Sequence, residues 1–174
     1  MEPWRPVSKT QWIAFSAGLG LFVLALLLCE PGYVFLLDGA NLLFHEAGHP
    51  FFGLFSSSLE IYGGTLGQFV FPVVVMVSFW RQGATVPFAV GGIWFFENFF
   101  NVARYMADAQ AQALPLVGGG EHDWNIIFYR WHVLHRDTEI AAAVRLCGWA
   151  GIAAVWAWLA WRALRREEAR DSAD

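Results

Sequence analysis

The sequence predicts an all-α polytopic membrane protein: one integral domain over residues 1–174, with four to six transmembrane helices. Three observations predict it. The chain is 57% hydrophobic and only 15% charged, where soluble domains carry about 25% charged residues. Its mean hydropathy is +0.43. Its apolar residues gather into runs close to the roughly 20 residues that cross a hydrocarbon core.

Residues 1–10 form a polar N-terminal segment holding Arg5 and Lys9. The first span is WIAFSAGLGLFVLALLLC, residues 12–29. Its basic start resembles a signal sequence. The apolar stretch is long for one, and no A-x-A site comes after it, so it reads as an uncleaved span. Residues 33–55, YVFLLDGANLLFHEAGHPFFGLF, are apolar but interrupted by polar groups. The serines and paired glycines of SSSLEIYGGT, residues 56–65, predict a short strand and turn. Residues 66–80, with Pro72, and 86–107, with Glu97, Asn98, Asn101 and Arg104, are the next spans. After the glycines at 118–120, residues 124–137 predict a short amphipathic helix lying along the interface, with His132 and His135 on its surface. Residues 140–161 form the last span, and 163–174 a charged tail outside the 11–162 membrane core.

Charge orients these spans. Arg5, Lys9, Arg81, Arg162, Arg165, Arg166 and Arg170 fall on one side if the chain makes four full crossings and segment 31–60 enters and returns. The excess of Lys and Arg assigns that side, with both termini, to the cytoplasm. Trp12, Trp80, Trp158 and Trp161 mark span ends, where indoles favour the interface. Small residues at Ala14, Gly18 and Ala25, and at Ala143, Cys147, Gly151 and Ala154, offer faces for close helix contact. Cys29 and Cys147 sit in apolar surroundings without a C-x-x-C partner, so no disulfide framework is indicated. A net charge of -4 without a basic groove excludes nucleic acid as a partner. Lipid and membrane-borne peptide remain.

The polar groups of the second apolar segment carry the chemistry. His45 and His49 are four residues apart, which on a helix puts both imidazoles on one face. They can converge on one Zn²⁺, and Glu46 beside them is placed to hold a water there and take its proton as general base. Ionisable side chains at membrane depth are costly and mark function by default. Asp38 and Asn41 lie on or near the same face and are expected to orient an imidazole. Pro50 directly follows His49, so the helix is expected to kink, end or double back there.

A catalytic zinc takes three protein ligands and keeps an open position. Two regions offer the third. Gly120-Glu121-His122-Asp123-Trp124 puts His122 after flexible glycines, with Asp123 able to cap a helix starting at Trp124. Glu97, Asn101 and Asp108 repeat along one side of the 86–107 span and its end, with Arg104 and Tyr105 nearby. The order of expectation is His122, then Asp123, then Glu97, then Asp108. Asn101 and Tyr105 offer donors to an oxyanion, with hydrogen bonds between helices as the stronger expectation.

His45-Glu46-Ala47-Gly48-His49 on an apolar segment resembles the site-2 protease type of intramembrane zinc metallopeptidase, the M50-like group. The resemblance covers about residues 33–125. It implies a short sheet-like loop after the motif helix, further core spans, and a distant Asp as third ligand, usually within N-P-D-G. No N-P-D-G occurs here, so the third ligand does not carry over. The function expected is hydrolysis of peptide bonds in membrane or juxtamembrane substrates. The alternatives are a non-catalytic metal-binding membrane protein, or a di-metal oxidase or hydroxylase using His45/His49 and His132/His135.

Overall fold

The computed structural model describes residues 2–28, 35–117 and 120–171. Six α-helices make up almost all of it: α1 (Lys9–Leu28), α2 (Phe35–Gly53), α3 (Ser57–Arg81), α4 (Thr85–Ala107), α5 (Asp123–Arg130) and α6 (Asp137–Asp171), with a 3-10 turn at Leu134–Arg136. The all-α expectation holds. Three helical segments, α1, α3 and Leu134–Arg165, are long and apolar enough to cross a membrane. Helices α2 and α4, of 19 and 23 residues, are comparable in length. They carry the polar residues.

Side chains are distributed as in a protein whose solvent is apolar. Leu21, Leu28, Leu36, Leu43 and Leu54 are each at least two-thirds exposed, whereas Asn41, Gln68, Glu97 and Asn98 are at most 2% exposed. Lipid chains solvate leucine as well as a core does, but they offer polar groups no partners. The polar side chains turn inward, where Asn41 bonds Glu97 and Gln68 bonds Asn101, the arrangement that an apolar surround favours.

Helices α2 and α3 form an antiparallel hairpin held at glycine contacts. A Cβ at Gly48 would lie 2.9 Å from the Gly63 carbonyl carbon, and one at Gly67 would lie 3.0 Å from the Gly48 Cα. Only glycine lets the backbones approach so closely. Phe44 stacks on Phe71 beside this crossing. Helix α4 lies against α3, with Phe69 packed on Phe95 and Phe99. Helix α6 then packs on α4, where Gly148 meets Phe99 and Phe100. Helix α5 sits across their far end, burying Trp124, Ile127 and Phe128 against Val102, Met106 and Ala141.

Two expectations for this region are corrected. The strand and turn at 56–65 is helix. Ser56, extended at φ -169, caps α3 by accepting from the Leu59 N–H, so the serines start a helix rather than a turn. Gly63 and Gly64, read as turn residues, are spent on helix contact. Helix α2 also does not end at Pro50. It runs on to Gly53, and the Leu54 N–H bonds the Pro50 carbonyl at 3.3 Å. Proline removes one bond, to the Glu46 carbonyl, and the helix continues past it beside the glycine contacts with α3.

Contacts between helices give their directions. Phe44 and Gly48 of α2 meet Phe71 and Gly63 of α3, and Phe69 and Met76 of α3 meet Phe99 and Gly91 of α4, so each pair is antiparallel. Val7, just before α1, packs with Ala89, and Leu26 with Phe100. Helices α1, α2 and α4 therefore run the same way, and α3 and α6 oppose them. Cys147 is unpaired and exposed on α6; Cys29 lies outside the described residues. His132 and His135 are exposed, as expected.

Candidate metal centre

The two histidines of α2 share a face, and the hairpin holds both rings by their Nδ1 atoms. His45 Nδ1 is 3.1 Å from Gln68 Oε1, and His49 Nδ1 is 2.8 Å from the Glu60 carbonyl oxygen. A carbonyl oxygen only accepts, so His49 Nδ1 carries a hydrogen. The same holds for His45, because the Gln68 amide is oriented by a chain of bonds. Gln68 Nε2 donates to Asn101 Oδ1 at 2.7 Å, and Asn101 Nδ2 donates to Asp38 Oδ1 at 2.6 Å. The Asp38 carboxylate at the end of the chain accepts, which fixes both amides and leaves Gln68 Oε1 toward the imidazole.

With both Nδ1 atoms donating, both Nε2 lone pairs point to the other side. There they meet one atom: Asp123 Oδ2 is 2.9 Å from His45 Nε2 and 3.2 Å from His49 Nε2. Each residue offers a ligand atom, and all three atoms lie within 4.8 Å of one another. Two lone pairs and a carboxylate oxygen repel unless a cation sits among them. Extra protons on the imidazoles would serve, and so would a divalent metal.

Gly64 supplies the space. A Cβ there would lie 2.6 Å from His49 Nε2 and from His45 Cε1, and closer still to His45 Nε2. The cradle around the two imidazoles exists only because residue 64 has no side chain.

Asp123, rather than His122, joins the histidines. His122 is the N-cap of α5, its Nδ1 accepting from the Asn125 N–H at 3.2 Å, and its Nε2 lies 3.5 Å from Asp108 Oδ2. The reason is local. One residue ahead of the first helical turn, His122 turns its ring back onto the backbone, while Asp123 points across toward α2. Asp108 accepts from the Ala113 and Leu114 N–H groups and shapes the loop after α4. Glu97 is fully buried and accepts from Asn41 Nδ2 at 2.7 Å. Neither is among the three grouped ligands. Asn101 lines the smaller cleft, where its Oδ1 accepts from Gln68 and its Nδ2 donates to Asp38. Asn41, expected to orient an imidazole, bonds Glu97 and Trp94 instead.

Tyr105 stands at the centre. Its ring lies against His45 and His122, and its hydroxyl oxygen accepts from the Asp123 N–H at 3.1 Å. That leaves the hydroxyl hydrogen to donate elsewhere. Two clefts, of about 430 and 340 Å³, meet here and share His45, Glu46, Tyr105, Leu116 and Val117.

Burial pushes the Asp123 carboxyl up, but hydrogen bonds and charge from the two imidazoles, when each carries a proton on Nε2, pull it down further, below the usual carboxylate range. Burial pushes the His122 imidazole down, against the pull of Asp108 and Asp123.

Gln68, Gly64 and the Glu60 carbonyl were missed from sequence. Gln68 had a readable signal, a lone amide in an apolar run. Among the described residues, His45, His49 and Asp123 form the one group of this kind. No family model, curated protein or solved structure matches the chain. The arrangement must be judged on its own geometry.

Proposed function

We propose that this protein is an integral, multi-pass membrane zinc metallopeptidase that hydrolyses peptide bonds of membrane or juxtamembrane substrates, with Glu46 as general base. One observation carries the reading: two imidazole Nε2 atoms and a carboxylate oxygen converge beside Glu46 on a cleft wall. The donor set is what zinc takes in catalytic sites, three N/O ligands with one position open. His45, His49 and Asp123 would hold the ion. An Asp as third ligand also agrees with the resemblance to the M50-like group.

Bound there, zinc supplies a Lewis acid that polarises a carbonyl and lowers the pKa of water to about 7. The protein does the rest. Glu46 takes a proton from the attacking water and returns it to the leaving amine as the C–N bond breaks. The Tyr105 hydroxyl, anchored through its oxygen, offers its hydrogen to the developing oxyanion. The Gln68–Asn101–Asp38 chain keeps His45 in the Nδ1–H form, so Nε2 stays available.

The test is Glu46→Gln, which keeps size and removes the base. It should retain zinc, measured by elemental analysis, and lose cleavage of a membrane-tethered peptide reporter by at least ~10²-fold. Near-normal turnover would overturn the assignment. A wild type that holds zinc but cleaves no reporter would leave a non-catalytic metal protein.

A further inference from the structure

We infer that the metal centre opens on the non-cytoplasmic face of the membrane, and that its substrate is a segment of a membrane protein presented at that face. This rests on the peptidase reading for the word substrate, but not for the placement of the site.

Three contacts gather one end of the bundle. The Glu2 N–H bonds the Arg81 carbonyl at 3.2 Å, the Arg5 N–H bonds the Gly83 carbonyl at 2.8 Å, and Arg162 Nη2 bonds the Trp4 carbonyl at 3.3 Å. The N-terminal segment, the turn between α3 and α4, and the second half of α6 therefore meet there. Seven of the eleven Lys and Arg residues belong to these segments: Arg5, Lys9, Arg81, Arg162, Arg165, Arg166 and Arg170. An excess of Lys and Arg in short segments beside spans marks the cytoplasmic side.

The metal centre lies toward the other end. Gly64, against both imidazoles, is seven residues from the start of α3 at Ser57 and 17 from its end at Arg81. At about 1.5 Å per residue, these are distances of roughly 10 and 26 Å. The larger cleft is rimmed by Ser57, Glu60 and Glu121, all exposed and all at the Ser57 end. Water and peptide thus reach Glu46 from the end opposite those seven basic residues. The fitting substrate is a juxtamembrane stretch on the non-cytoplasmic side, its scissile bond about two helical turns below the start of α3 at Ser57.

The experiment reads placement without activity. In a background with Cys29→Ser and Cys147→Ser, single substitutions Ser57→Cys, Glu121→Cys and Gln82→Cys are expressed in cells. Each is exposed to a membrane-impermeant maleimide before and after permeabilisation, and labelling is normalised to that in detergent. Positions 57 and 121 should label on intact cells, and position 82 only after permeabilisation. Labelling of position 82 on intact cells with 57 and 121 protected would place the site on the cytoplasmic side and overturn the inference. Equal access at all three would mean that the two ends of α3 do not face opposite compartments, and would overturn it too. Loss of catalysis in Glu46→Gln moves none of these outcomes, so the two proposals fail separately.

Discussion

Replacing Gly64 with alanine tests the metal centre without touching a ligand. The added Cβ would lie 2.6 Å from His49 Nε2 and from His45 Cε1, where ordinary contact begins at 3.4 Å. Each ring must retreat by about 0.8 Å, well beyond the roughly 0.2 Å within which ligand distances are held. Neither can retreat freely. His45 is tied to Gln68 at 3.1 Å and His49 to the Glu60 carbonyl at 2.8 Å. Loss of a residue that only supports a ligand typically weakens metal binding about 10–100-fold. Gly64→Ala displaces two ligands at once and should cost at least ~100-fold in zinc affinity, by competitive chelator titration in detergent. The overpacking itself costs about 1–3 kcal/mol, so the helical circular dichroism should persist. Gly20→Ala is the matched control, because its Cβ would have nothing within 4 Å. Zinc binding by Gly64→Ala equal to that of the control would refute the site as drawn.

Four further outcomes are expected. Asp123→Ala should lose zinc, while His122→Ala should keep it and lose about 1 kcal/mol of stability with its cap; elemental analysis and thermal melts separate the two, and the reverse pattern would return the ligand role to His122. Gln68→Leu should weaken zinc about 10–100-fold by releasing the His45 ring, and an unchanged titration would make the Asp38 chain irrelevant. Glu46→Gln should keep zinc and lose hydrolysis. Because burial holds His122 below its usual pKa, the unfolded chain takes up that proton first as pH falls through about 6.5. Stability should therefore decline on acidification, by at most about 1.4 kcal/mol per pH unit from this group. In metal-free protein, His122→Asn, which keeps a capping oxygen, should flatten that part of the profile; an unchanged slope would clear His122 of the effect.

Periodicity and apolar run length reveal helices well, and the boundaries of α1 and α4 fall within a few residues of those read from sequence. What sequence could not reveal is which local signal wins when two compete. Ser56 to Gly64 reads as a turn by composition, but the serine caps a helix and the glycines face another backbone, so the helix extends back to Ser57. Pro50 reads as a stop, yet α2 runs on past it to Gly53. The same limit separates the motif from the third ligand. His45 and His49 converge by spacing alone, which sequence displays. Whether His122 or Asp123 reaches them depends on which residue is spent on capping α5, and that is decided in space.

The centre draws on parts of the chain made at different times. The hairpin of α2 and α3 brings the histidines, Glu46, Gly64 and the Glu60 carbonyl, all between residues 35 and 81. The Asn101 that orients Gln68 comes with α4, and Asp123 arrives only with α5, 78 residues after His45. A chain still emerging from synthesis therefore displays the whole H-E-x-x-H motif while lacking the carboxylate that completes it. On the metallopeptidase reading, a copy truncated before α5 would lack one of the three ligands and be inert. On the reading proposed above, the order in which the helices are made would delay activity until Asp123 is in place.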